Sequence, residues 1–173
     1  MRVTEKDIAY KGEKIKILFV CHGNICRSPM AEFILKDLAK KEGIADKLYI
    51  ASCATSTEEI YNGVGNPIYP PARAELSRRG VPYENRRAVR LTREDYEKYD
   101  MLIAMDERNI SNIIRIVGAD RDGKVYKMMD FTDRGGDVAD PWYTDRFDVT
   151  FDDIYEGAQG LLNVIKDKIN VTK

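Results

Sequence analysis

Short apolar runs alternate along this chain with stretches whose apolar residues recur every three or four positions. Residues 15–20 are apolar except for Lys16, a run of the length expected for a buried strand. From Ser28 onward, Ala31, Ile34, Leu35 and Leu38 fall at helical spacing, with Ser28 suited to the N-cap and Pro29 to the first turn. Residues 48–51 predict a second strand, 67–71 a turn, and 72–79 a short helix stopped by Gly80. A helical stretch over 93–98 leads into a third strand at 101–105. Residues 108–117 form a helix with Ile110, Ile113, Ile114 and Val117 on one side, and 125–128 a last strand. Phe151, Ile154, Tyr155, Ala158, Leu161, Leu162, Ile165 and Ile169 share one stripe of a closing amphipathic helix.

Strands alternating with helices imply parallel β-α-β crossovers and an α/β fold with helices on both faces of the sheet. Ligands of such sheets sit beyond the carboxyl ends of the strands, where the strand order reverses. The turn after the first strand is therefore the first place to look for chemistry. No linker, repeat or low-complexity stretch divides the 173 residues, so residues 14–173 are expected to form one domain, preceded by a surface arm over 1–13.

Charge and cysteine usage narrow the function classes. Lys plus Arg (28) nearly balance Asp plus Glu (29), which argues against nucleic acid as a partner. The longest apolar run is too short to insert in a bilayer, and the first residues lack the apolar core of a secretory signal. Three cysteines make a poor disulfide framework, so a reducing, cytoplasmic setting is expected. With one histidine, zinc sites of the Cys/His or His/His/Glu kinds are out of reach, and neither metal nor organic cofactor is expected.

The turn after the first strand reads Cys21-His22-Gly23-Asn24-Ile25-Cys26-Arg27-Ser28-Pro29. Amides of a tight loop and of the following helix start can converge on an oxyanion such as phosphate. Gly23 permits positive φ, and Asn24 is the next most tolerant of it. Arg27 can grip two phosphoryl oxygens. A thiolate at Cys21 would attack phosphorus to give a phosphocysteine, with Ser28 bonding the sulfur as it departs. The plainer alternative is an ordinary buried cysteine ending a strand, since a bare C-x5-R spacing arises often by chance. Phosphotyrosine also needs its leaving oxygen protonated. Asp140, followed by Pro141, Trp142 and Tyr143, is the candidate acid. Asp137 competes with it, and a plain turn aspartate before proline is the alternative to both.

With Cys21-x-Gly23-Asn24-Ile25-Cys26-Arg27-Ser28-Pro29 and the late Asp140-Pro141-Trp142-Tyr143, the chain resembles the low-molecular-weight protein-tyrosine phosphatases. Ser52-x-Ala54-Thr55-Ser56, Pro70-Pro71-Ala72-Arg73 and Met105-Asp106-x-x-Asn109 extend the likeness over residues 14–168. The resemblance implies a small doubly wound four-stranded parallel sheet acting on phosphotyrosine proteins. Cys21 would be the nucleophile, Arg27 the clamp, and Asp140 the general acid and then base. Ser28 would assist the leaving sulfur, and Asn24 would hold the loop. His22, Gly23, Ile25, Cys26, Trp142 and Tyr143 would border the substrate, and Tyr143 is itself a candidate for phosphorylation. Cys26 matches a second loop cysteine able to form a disulfide with oxidised Cys21, or else a small packing residue; Cys53 reads as inert. Two departures stand out: Arg86 falls where such proteins carry a histidine supporting the loop asparagine, and the 57–65 loop is long, with Ile60 and Tyr61 as wall candidates.

Three other functions compete. A protein-arginine phosphatase of the same family would resemble others with Thr at the place of Ile25, whose apolar side chain suits an aromatic ring better. A thiol-linked arsenate reductase would need a cysteine after Cys53, and there is none. A phosphate-binding module would have no use for a nucleophile and an acid together.

Overall fold

The structure is a computed structural model that describes residues 3–10 and 13–172, with the side chains of 171 and 172 undescribed. Strand β1 (Ile15–Cys21) pairs in parallel with β2 (Leu48–Ala54) on one side and with β5 (Met101–Ala104) on the other. Strand β6 (Val125–Lys127) extends the sheet beyond β5, giving the order β2-β1-β5-β6. The two-residue strands β3 (Ile60–Tyr61) and β4 (Val64–Gly65) form a separate antiparallel hairpin. The helices are α1 (Arg27–Lys41), α2 (Pro70–Arg78), α3 (Asp95–Lys98), α4 (Glu107–Val117), α5 (Pro141–Thr144) and α6 (Phe147–Thr172).

Period-two alternation along β1 feeds two cores at once. Ile15, Ile17, Phe19 and Cys21 join the larger cluster with residues of α1 and α6. Leu18 and Val20 join the smaller one, with Tyr96, Tyr99 and Ile113. A strand buried on both faces has to be apolar nearly throughout, which is why β1 reads as a continuous run. The order reverses at β1, because the chain first crosses to β2 and then returns to β5 on its other side. The carboxyl ends of β1 and β5 therefore open into the crevice where such sheets hold ligands.

The predicted elements are present, with four differences. Ser28 is not the N-cap of α1. The helix starts one residue earlier and the buried Ser28 hydroxyl turns back into the preceding loop. The last strand stops at Lys127, and Met128–Phe131 wind into a 3-10 turn against α6. The 60–65 hairpin turns on Asn62 (φ 50°) and Gly63 (φ 76°), the Asn-Gly pair that favours two-residue hairpins. The arm preceding β1 does more than lie on the surface. Ile8 is buried in the larger core, and the Tyr126 hydroxyl donates to Asp7 O at 2.7 Å. No helix among the described residues is long and apolar enough to cross a membrane.

Helix α6 packs closely on the 128–131 turn because it carries Gly157 and Gly160 where the two meet. A Cβ on Gly160 would lie 1.9 Å from Phe131 O. In an open helix interior, Gly→Ala gains about 1 kcal/mol. Here Gly160→Ala is expected to destabilise instead, by about 1–3 kcal/mol or more, because α6 must lift away from the turn. Urea unfolding reads the sign directly, and a stabilised variant would contradict this packing.

Candidate active site

The turn from Cys21 to Arg27 folds around a sulfur atom. Cys21 Sγ lies 3.0 Å from Ser28 Oγ, and the backbone N–H groups of Asn24 and Ser28 point at it from 3.3 and 3.4 Å. Asn24 Nδ2 donates to Ser28 Oγ at 2.8 Å, and the Ser28 hydroxyl has both the sulfur and Cys53 O, at 3.4 Å, within reach. The turn is fastened to the end of β2 by Thr55 N–H to Cys21 O and Ser56 N–H to His22 O, at 2.9 and 3.0 Å.

Asn24, not Gly23, adopts the left-handed backbone, at φ 60°. A Cβ at position 23 would stand 3.1 Å from Glu59 Cγ, a tight contact that the Glu59 side chain would have to yield to by a few tenths of an ångström. Asn24 is held at both ends of its amide. Nδ2 also donates to Ser52 Oγ at 3.0 Å, and Oδ1 accepts from Val89 N–H at 3.1 Å and from Arg86 Nη2 at 2.7 Å. Arg86 thus supplies the support that the missing histidine put in question. It is anchored in turn by Ser52 and by Glu32, whose Oε1 lies 2.5 Å from Nη1. Glu32 is buried and accepts from Ser52 Oγ and Lys36 as well, so its charge is matched.

Arg27 is 3% exposed, and its guanidinium is fixed within the cavity. Nη1 donates to Asp106 Oδ2 at 2.7 Å and to Val138 O at 2.9 Å, while Nη2 lies 3.5 Å from Asp140 Oδ2. Asp106 caps α4 with its other oxygen, which accepts from Asn109 N–H at 2.8 Å. Asp140 likewise caps the single turn of α5, its Oδ1 accepting from Trp142 N–H at 3.0 Å. The loop bearing Asp140 is tied to β5 by Val138 N–H to Met105 O at 2.9 Å.

These groups enclose a cavity of about 320 Å³ with Cys21 and Arg27 at its floor. His22, Gly23, Ile25, Cys26, Trp142 and Tyr143 line it, while Asn24 and Ser28 are buried behind it. Asp140 faces this cavity. Asp137 instead lines an adjoining one and pairs with Lys127 at 3.0 Å. Trp142 and Tyr143 are mostly exposed, with Trp142 propped against Tyr69 at 5.4 Å between ring centres.

Neither Ile60 nor Tyr61 forms the wall. Ile60 packs against the larger core and Tyr61 is 66% exposed; Glu58 and Glu59 take the wall position. Asp106, Glu58, Glu59 and Arg108 were the residues missed. The hairpin signal of Asn62-Gly63 was available, but the facing of Glu59 depends on where that hairpin docks. Gly65 lies so close to Ala88 that no side chain would fit, and Arg87 Nη1 donates to Gly65 O at 3.0 Å.

Cys21, Cys26 and Cys53 are free and buried. Burial first, and then the charges of Cys21 and Asp140, push the Cys26 thiol far up, so it stays protonated near neutrality. Burial does the same to Cys53. Among the described residues, no group of three or more His, Cys, Asp or Glu is arranged to hold a metal ion.

The family model described as low molecular weight phosphotyrosine protein phosphatase matches residues 16–171. The chain is 34% identical over 154 residues to the low molecular weight protein-tyrosine-phosphatase YfkJ of Bacillus subtilis, covering 88% of this chain and 96% of that protein. The crystal structure of YfkJ superposes with a TM-score of 0.85 at 33% identity, over 92% of this chain and 99% of that one. The low molecular weight protein tyrosine phosphatase SP-PTP of Streptococcus pyogenes gives 0.75 at 35% identity, over 86% and 91%. An arginine phosphatase, YwlE, with a phosphorylated serine in its active site, gives 0.74 at 28% identity, over 88% and 96%.

Arg86 is the departure whose consequence is most direct. Arg86→Ala removes a donor from Asn24 Oδ1 and a cation from buried Glu32, and is expected to lower stability by about 1–3 kcal/mol. Arg86→Lys keeps the charge without the planar fork and should recover only part of the loss. Urea unfolding of both variants measures this, and three equally stable proteins would show that the support is dispensable.

Proposed function

This chain belongs to the low molecular weight phosphotyrosine protein phosphatase family, and from that premise we propose that it hydrolyses phosphotyrosine in proteins through a phosphocysteine on Cys21. The observation that carries the reading is the convergence on Cys21 Sγ. Two backbone N–H groups and the Ser28 hydroxyl converge on the sulfur, beside a fixed guanidinium that itself lies against the Asp140 carboxyl group.

In this reading the phosphoryl group enters with its oxygens on Arg27 and the loop amides. The Cys21 thiolate attacks phosphorus as the P–O bond to the tyrosine breaks, and Asp140 gives its proton to the departing phenolic oxygen. Water then attacks the phosphocysteine. Asp140 takes one proton from that water, phosphate leaves, and the Ser28 hydroxyl bonds the thiolate as the S–P bond breaks. Arg27 balances the charge spread over the equatorial oxygens in both steps. Pairing of Asp137 with Lys127, outside the main cavity, favours Asp140 as the acid. Ile25, Trp142 and Tyr143 supply apolar surface for a phenyl ring. Phosphate and similar oxyanions would occupy the same loop. The reaction needs neither metal nor organic cofactor. Three buried free thiols suit a reducing, cytoplasmic setting.

Kinetics on a phosphotyrosine peptide and a phosphoarginine peptide, side by side near neutral pH, test the substrate. Phosphotyrosine is expected to be strongly preferred, and the reverse preference would overturn the assignment while keeping Cys21. Cys21→Ser should lose at least about 10⁴-fold in kcat while still binding tungstate. Asp140→Asn should lose about 10²–10⁴-fold and flatten the alkaline limb of the pH–rate profile. Full turnover in either variant would sink the mechanism.

Cys26 gives the site a route out of oxidation. Hydrogen peroxide would convert the Cys21 thiolate to a sulfenic acid with release of hydroxide. The Cys26 thiol would then attack that sulfur, forming the disulfide and releasing water. Peroxide treatment followed by peptide mass mapping should yield a Cys21–Cys26 linkage and activity restored by dithiothreitol. Sulfinic acid on Cys21 with Cys26 still free would show instead that Cys26 only fills space.

A further inference from the structure

Two charged side chains face the main cavity with no counter-charge of their own. Glu59 leans over Gly23, its Oε2 accepting from the neutral Asn66 Nδ2 at 2.7 Å, and no cation among the described residues lies within ion-pair distance of it. Arg108, on the first turn of α4, is exposed and pairs with no carboxylate among the described residues. The other charges at the mouth are engaged, His22 with Glu58 at 3.0 Å and Arg27 with Asp106 and Asp140.

Topology puts these two on opposite sides of Cys21. Glu59 belongs to the segment that leaves β2, and Arg108 to the helix that leaves β5, while β1 and Cys21 lie between them. Two strand spacings set the flanks about 10 Å apart. An extended peptide advances about 3.3 Å per residue, so with its phosphorylated side chain over Cys21 it would bring residues one or two places away on each side under the two charges. A carboxylate left unpaired beside an anion-binding loop is repelled by a substrate phosphate unless the substrate brings a cation to it. Arg108 has the converse preference, for an acidic neighbour.

Resting on the phosphotyrosine reading above, we propose that Glu59 and Arg108 are specificity-determining residues that select phosphotyrosine segments with a basic residue on one side and an acidic residue on the other. Because these contacts are made equally in the bound substrate and the transition state, they act on KM and leave kcat common to all sequences.

Four peptides test this, identical but for Lys or Glu two residues before and two residues after phosphotyrosine. One of the two mixed-charge peptides is expected to be the best of the four in kcat/KM. It should lead each like-charged peptide by about 3-fold and its reversed counterpart by about 10-fold, the scale of one and two partly exposed charge pairs. The ranking should shrink as salt rises from 50 to 500 mM. Glu59→Gln should equalise the pairs of peptides that differ only at the basic flank, and Arg108→Gln the pairs that differ at the acidic flank. Four peptides of equal kcat/KM in the wild type, a ranking that follows lysine count alone, or an unchanged ranking in both variants would overturn the inference while leaving the phosphatase reading intact. Turnover of none of the four would overturn both. Faster turnover of a phosphoarginine peptide would reassign Glu59 to the guanidinium of the phosphorylated residue itself.

Discussion

Asn24 holds a left-handed backbone conformation in the middle of the loop, and the site takes its shape from the bonds that keep it there. Its side-chain amide is bonded at both ends, by Ser28 and Ser52 on the nitrogen side and by Val89 and Arg86 on the oxygen side. With Asn24 in place, its own N–H and that of Ser28 turn inward, and the Ser28 hydroxyl is oriented toward Cys21. Removing one of these bonds leaves a polar atom unpaired in a buried place, and such a loss is felt by the groups it had oriented. The chain from Glu32 through Arg86 and Asn24 to Ser28 and Cys21 therefore behaves as one unit, spanning α1, the irregular segment around Arg86, the first loop and the end of β1.

A second constraint acts on Arg27. Buried arginines need acceptors, and this one has them from two different segments, Asp106 at the start of α4 and Val138 in the loop before α5. The guanidinium is thereby oriented before any phosphate arrives, and positioning completed in advance is what electrostatic stabilisation of a transition state depends on. The same bonds bring the Asp140 loop to the floor of the cavity. One buried cation thus joins the first loop, the cap of α4 and the turn bearing Asp140.

Much of this was legible beforehand because it follows from local pattern. Continuous apolar runs gave β1 and β5, helical spacing gave α4 and α6, and the glycine, asparagine and arginine after β1 indicated an anion site. Ser28 was read both as a helix cap and as a partner of the sulfur; its hydroxyl lies beside Cys21 Sγ, and the helix starts at Arg27 instead. Asp106 stood only within the Met105-Asp106-x-x-Asn109 match, because its bond to Arg27 joins positions 79 apart in sequence. The support of Asn24 by Arg86 depends on register in an irregular segment, where periodicity gives no guidance. Glu59 was hidden for a similar reason, since its facing is decided by the docking of the 60–65 hairpin on residues 87 and 88.

The loop bearing Cys21 leaves directly from β1, whereas the loop bearing Asp140 follows β6 and the 128–131 turn and is tied back to the end of β5 through Met105. The distance between Cys21 and Asp140 therefore depends on that tie and on the Arg27 bond to Val138 O, as well as on the sheet. On warming, the loop can part from Met105 and Arg27 before the sheet itself gives way. Heat inactivation is then expected to precede loss of the fold, leaving an interval in which a folded but idle protein accumulates.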